Sequence, residues 1–227
     1  MLVDLTHVFR ENMPGFRLRN ESGELVEFSA RIRPFLTHAQ SAPNYDNKAS
    51  FEISEVQFQT SIGTYMDSPR HRFPDKGDIA TLALPRLVLE GVVIDARHAE
   101  PSQGLTLADV TLPETLKGKA VLVNFGWDRF WGQDTYYQVP YLARDVLERL
   151  RAEGIGLFGV DTINADCITD PERPAHSWLL ADDILIVENL TGLHLLHGRS
   201  FRFFSIPIPI EGAVAFPVRA FAELRES

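Results

Sequence analysis

Four residues in this chain have the types and placement that a reaction centre needs. Asp67 and His71 close the segment Gly63-Thr64-Tyr65-Met66-Asp67-Ser68-Pro69-Arg70-His71, and His176 and Glu188 lie far downstream. Asp67 offers a hard oxygen to a metal ion, and His71 offers an imidazole ligand or a general base. Gly63 permits an unusual backbone angle, and Pro69 stiffens the chain just before the histidine. Such a turn can hold both side chains in fixed positions, although an Asp capping a turn beside a surface His has the same spacing. His176 precedes the apolar Trp178-Leu179-Leu180. Glu188 ends the apolar run Ile184 to Val187. If that end is buried, the acid requires a metal ion or a basic partner; if exposed, it needs neither.

Other candidates say less. Trp127 and Trp131 frame Asp128-Arg129-Phe130, either as an aromatic pocket or as core packing. Asp161 and Asp166 read as turn residues that could instead orient ligands, and His194 and His197 as surface histidines. His7, His38 and His98 have no informative context. There is no nucleophile elbow, phosphate-binding glycine loop or dinucleotide fingerprint.

The elements that must position these groups are mostly strands. Phe51 to Ser54 and Val56 to Gln59 alternate apolar and polar residues, with a phase slip near Glu55 that predicts a bulge or turn. Val88 to Ile94, Ala120 to Phe125, Leu157 to Val160 and Ile184 to Val187 read as strands. Phe203 to Ile210 reads as a strand confined to an edge or bulge by Pro207 and Pro209. Leu142, Val146, Leu147 and Leu150 predict a helix between Pro140 and Gly154, and a shorter helix is expected from His176 to Ala181. Residues 15–50 read as an irregular arm, either a long loop or a poorly patterned hairpin. The expectation is one mixed α/β domain over 1–227.

The chain has 227 residues, is 44% hydrophobic and carries a formal net charge of −9. It can therefore bury a core, and its acidity argues against a nucleic-acid partner. Cys167 is the only cysteine, which excludes an intrachain disulfide and suggests a small buried hydrophobe. No apolar run approaches the roughly 20 residues of a membrane span. The start of the chain carries an acid, Asp4, where a signal peptide would be basic. A cytoplasmic protein with a small-molecule substrate is expected.

Several segments, taken in order, resemble the cyclase-like metal-dependent hydrolase family, which includes bacterial kynurenine formamidase and isatin hydrolase. They are Leu2-Val3-Asp4-Leu5-Thr6-His7 with Asn12-Met13-Pro14, Val121 to Trp127, Gly159-Val160-Asp161-Thr162, Val187-Glu188-Asn189-Leu190 and Phe216 to Ala220. The family signature His-x-Gly-Thr-His-x-Asp-x-Pro-x-His aligns with Ser61 to His71. Gly63, Thr64, Asp67, Pro69 and His71 match it, whereas Ser61 and Tyr65 stand at its first two histidines.

The resemblance implies a swivelling β/β/α fold, a mixed β-sheet core with flanking helices. It implies Asp67, His176 and Glu188 as metal ligands and His71 as acid/base. Ser and Tyr are poor substitutes for imidazole, so one divalent ion, zinc or manganese, is expected, or none. Tyr65 would then serve catalysis by donating a hydrogen bond to a developing oxyanion, with Ser61 and Trp127 contacting substrate. The reaction implied is hydrolysis of a small amide, lactam or lactone. A cyclisation or dehydration with little metal dependence, and a non-catalytic small-molecule binding protein, are the alternatives. The resemblance also implies a homodimer or homotetramer, with residues 15–50 at the interface.

Overall fold

The computed structural model describes residues 1–225. Its strands are β1 (Leu2–Asp4), β2 (Arg17–Arg19), β3 (Leu25–Glu27), β4 (Ala30–Leu36), β5 (Ile53–Phe58), β6 (Tyr65–Asp67), β7 (Val88–Asp95), β8 (Gly104–Leu105), β9 (Ala120–Asn124), β10 (Tyr141–Leu142), β11 (Leu157–Val160), β12 (Leu185–Glu188), β13 (Phe201–Pro207) and β14 (Ala215–Leu224). Two α-helices, α1 (His38–Ser41) and α2 (Arg144–Ala152), and a π-helical turn, Ala175–Leu179, accompany them. The class is α/β with a mixed sheet.

Eight strands form the central sheet in the order β1-β14-β13-β7-β9-β11-β12-β6, and β6 also pairs with β14. That second pairing closes seven strands into a ring, with β1 outside on β14. The β7–β9–β11–β12 pairings are parallel and the rest of the ring is antiparallel. β9, β11 and β12 are buried along their whole length and apolar but for the terminal Asn124 and Glu188, because both faces are covered. Ala120, Leu122, Leu157, Leu185 and Val187 join one core cluster, while Val121, Val123, Phe158, Val160 and Ile186 join a second with Val146, Leu147 and Leu150 of α2.

α2 starts later than the apolar stripe suggested, because Leu142 belongs to β10, paired to β8. Its end follows from Gly154. At φ +70 this glycine donates to the Arg151 carbonyl and Ile155 donates to that of Leu150, the two bonds that terminate a helix in a left-handed residue.

Of the two readings of residues 15–50, the hairpin is the one found: β2 pairs with β3, and β4 pairs with β5. β5 is one uninterrupted strand, and the register shift lies on β4 between Pro34 and Leu36. The sequence pattern misleads here because β4 and β5 are largely exposed on both faces, so no buried side dictates alternation. β13 is not an edge strand either: Phe201 to Phe204 pair with both β14 and β7. Its proline is tolerated because pairing with β7 has ended before Pro207.

Candidate active site

β6 brings the signature segment to the site. Val187 lies opposite Met66 and Glu188 opposite Tyr65 on β12. Alternation sends Met66 into the core and turns Tyr65 and Asp67 to the other face, where Glu188 also points. Gly63 enters the strand at φ +70, a left-handed conformation suited to glycine, and a Cβ there would meet the Met13 Cε at 3.0 Å. Asn189 donates to the Gly63 carbonyl at 2.7 Å, and the Thr64 hydroxyl donates to the Asn189 carbonyl at 2.6 Å. After β6, a short turn over Pro69–His71 returns the His71 ring towards Asp67.

Asp67 is fully buried, and neither of its carboxylate oxygens has a hydrogen-bond partner among the described residues. His71 Nδ1 lies 3.4 Å from one oxygen and His176 Nε2 lies 3.7 Å from the other. Asp67, His71 and His176 thus offer donor atoms within 4.8 Å of one another. Two imidazoles and a carboxylate with room beside them suit a divalent transition metal.

The His176 ring is held from behind. Its Nδ1 lies 2.6 Å from Asp166 Oδ2, and Asp166 also accepts from the backbone N–H groups of Ala175 and His176. With the proton on Nδ1, the Nε2 lone pair faces Asp67, as a carboxylate-oriented histidine ligand requires. Burial opposes charge on this ring, yet the contacts with Asp166 and Asp67 and the field of Glu188 push it up to about 10. The surrounding acids demand positive charge, which a bound cation would supply as well as a proton.

Glu188 is fully buried, and its oxygens are already engaged. Tyr65 donates to Oε2 through a short hydrogen bond, and the Ala165 N–H donates to Oε1 at 2.6 Å. Oε1 also lies 3.4 Å from His176 Nε2. Burial pushes the Tyr65 hydroxyl well above its ordinary range, with Glu188 and Asp67 adding to the shift. The Tyr65 hydroxyl thus serves as the donor that satisfies Glu188.

The tight donor group is Asp67, His71 and His176, and Glu188 borders it through His176. The Tyr65 O–H is directed at Glu188. Trp127 lies in the core at 1% exposure with its indole donating to the Tyr136 carbonyl, so it does not contact the cavity. Cys167 is half-exposed, in contact with Thr169, and not buried. His197 is half-buried against Asn124.

A cavity of about 270 Å³ opens over this group. Ser61, Tyr65, His71 and His176 line it, together with Arg72, Asn164 and Arg173 and with Phe16, Leu18 and Phe28 of the first hairpin. The sequence does not single out Arg72 or Arg173, because scattered arginines form no pattern. Nor does it single out Phe16, Leu18 and Phe28, because the hairpin that carries them is poorly patterned. Asp166, expected at a turn or orienting a ligand, lies against His176 Nδ1.

A closed mixed barrel carrying a histidine–carboxylate pocket on its outer face is the class that the fold and site define. The chain belongs to the Cyclase family, whose model matches residues 3–167. The match ends before His176 and Glu188, so those positions rest on the structure. Kynurenine formamidase of Bacillus mycoides (strain KBAB4) is 26% identical over 186 residues, covering 77% of this chain and 81% of the relative. An isatin hydrolase bound to the product analogue thioisatinate superposes with a TM-score of 0.84 at 23% identity, over 100% of this chain and 92% of that one. A potential metal-dependent hydrolase with cyclase activity gives a TM-score of 0.73 at 20% identity, over 100% and 99%. The two structural likenesses establish the fold.

Proposed function

We propose that the protein is a metal-dependent hydrolase that cleaves a carbon–nitrogen bond in a small amide or lactam. The observation that carries this reading is the fully buried Asp67, whose unpartnered oxygens face His71 and His176. The formamidase and isatin hydrolase relatives support the substrate chemistry. Asp67, His71 and His176 would hold one divalent cation, zinc or manganese by ligand type. When bound, it supplies a polarised substrate carbonyl and a water acidified towards neutral pH.

The remaining work belongs to the protein. Hydrolysis forms a bond from the water oxygen to the carbonyl carbon, breaks the C–N bond and delivers a proton to the leaving nitrogen. Asp166 fixes the His176 tautomer. Tyr65 fixes Glu188 beside it, so neither acid can swing into the cavity. Phe16, Leu18 and Phe28 shield one side from water.

The exposure of His71 favours a second reading of that residue alone. Its side chain is 32% accessible, against 6% for His176 and 0% for Asp67. In this reading His71 is the acid/base that protonates the leaving nitrogen. His71→Ala separates the two. Loss of bound cation makes His71 a ligand, whereas retained cation with turnover reduced about 10²–10⁴-fold makes it the acid/base. The hydrolase reading itself is tested with formanilide. Turnover should vanish on chelation and return with one equivalent of Zn²⁺ or Mn²⁺, and chelator-resistant turnover would contradict it.

A further inference from the structure

Arg72 stands apart from the other charged groups around the cavity. Its Nε donates to the Ser177 hydroxyl at 3.2 Å, and that hydroxyl donates to the Glu172 carbonyl at 2.6 Å. The guanidinium is thereby anchored to the turn that carries His176. Among the described residues its two terminal nitrogens have no hydrogen-bond partner, and the side chain makes no ion pair. Arg173, the other cation lining the cavity, is already engaged, donating to Asn164 at 2.7 Å and pairing with Asp166 at 3.5 Å.

Part of the lining is apolar. Phe16 and Phe28 approach with ring centroids 6.1 Å apart, and Leu18 extends the same surface. The buried acids Asp67 and Glu188 lie behind the lining residues His176 and Tyr65. A ligand therefore meets apolar side chains together with an anchored, unpaired fork of donors. A planar carboxylate fits a guanidinium fork in two parallel hydrogen bonds, and such charge-assisted pairs are about twice as strong as neutral ones. In a chain of net charge −9, a free cation at a cavity mouth also draws small anions towards it. At about 270 Å³ the cavity is at the small end for ligand sites and suits a single ring.

We propose that the substrate is a monoanion, a flat apolar ring bearing a carboxylate, and that Arg72 is the residue that selects it by pairing with that carboxylate. This rests on the hydrolase reading for the identity of the scissile bond, but the recognition itself is measured without turnover. The experiment is calorimetric binding of benzoate and of benzamide to the protein as purified, to Arg72→Ala, to Arg72→Lys and to Arg72→Glu. The wild type should bind benzoate about tenfold or more tightly than benzamide, the size expected of a charge-assisted pair.

That preference should disappear in Arg72→Ala, reverse in Arg72→Glu and survive in part in Arg72→Lys. Benzamide binding should persist in all of them, showing that the cavity is intact. A wild-type ratio near one would overturn the proposal. So would an undiminished ratio in Arg72→Ala, which would place the carboxylate on another group. Equal loss of both probes in the three variants would overturn it as well. A protein that binds benzoate through Arg72 yet cleaves no amide would sink the hydrolase reading and leave this one standing.

Discussion

At the scale of single residues, the site is organised by what its acids need. Asp67 is enclosed with two unmatched oxygens, and burial without a partner is costly for a carboxylate. Glu188 is enclosed too, but Tyr65 and Ala165 answer it. Replacing Tyr65 by Phe would keep the ring and strand Glu188 Oε2. We expect Tyr65→Phe to lose about 1–3 kcal/mol in urea denaturation, the cost of an unsatisfied buried acceptor. A loss below a few tenths would mean that the hydrogen bond contributes nothing. Asp67 and His71 were legible in the sequence because a glycine, a proline and two chemistry-bearing side chains share one short frame. Trp127 was open between pocket and core; it lies in the core, where the Tyr136 carbonyl satisfies its indole, and nothing in its flanking residues announces that.

At the scale of elements, the closed sheet places residues distant in sequence side by side. β6 is only three residues long, yet it is hydrogen-bonded on both sides, so Tyr65 and Asp67 are fixed relative to Glu188. The ring also depends on close approach elsewhere. Gly91 on β7 lies opposite Phe201 on β13, and a Cβ at Gly91 would sit 2.0 Å from the Phe201 ring. Gly91→Ala should cost about 1–3 kcal/mol through overpacking, and Phe201→Leu in the same chain should recover part of it. An unchanged melting temperature in Gly91→Ala would contradict that packing. The buried parallel strands were readable as short apolar runs because both of their faces are covered. β5 was legible from its alternation, but β2 to β4 were not, because exposed strands leave composition free and local turn formers then dominate the reading.

At the scale of the molecule, the ends of the chain meet: β1 pairs with β14 across the sheet that carries the site. No helix among the described residues is long and apolar enough to cross a membrane. The β4–β5 arm leaves Ile32, Ile53 and Val56 open, with exposures of 37–46%, and Phe35 at 67%. A homodimer or homotetramer that covers this arm is the assembly we propose. Light scattering at micromolar concentration should give a multiple of the 25.6 kDa chain, and a monomeric mass would contradict it.

The account as a whole turns on whether Asp67, His71 and His176 hold a metal ion, with Ser61 and Tyr65 limiting the centre to one. The direct measurement is elemental metal content per chain, on protein purified without chelators, for the wild type and for Asp67→Ala. The account predicts about one divalent ion per wild-type chain and near-complete loss in Asp67→Ala, as removal of a buried ligand requires. Two ions per wild-type chain, none at all, or undiminished metal in a folded Asp67→Ala protein would contradict it.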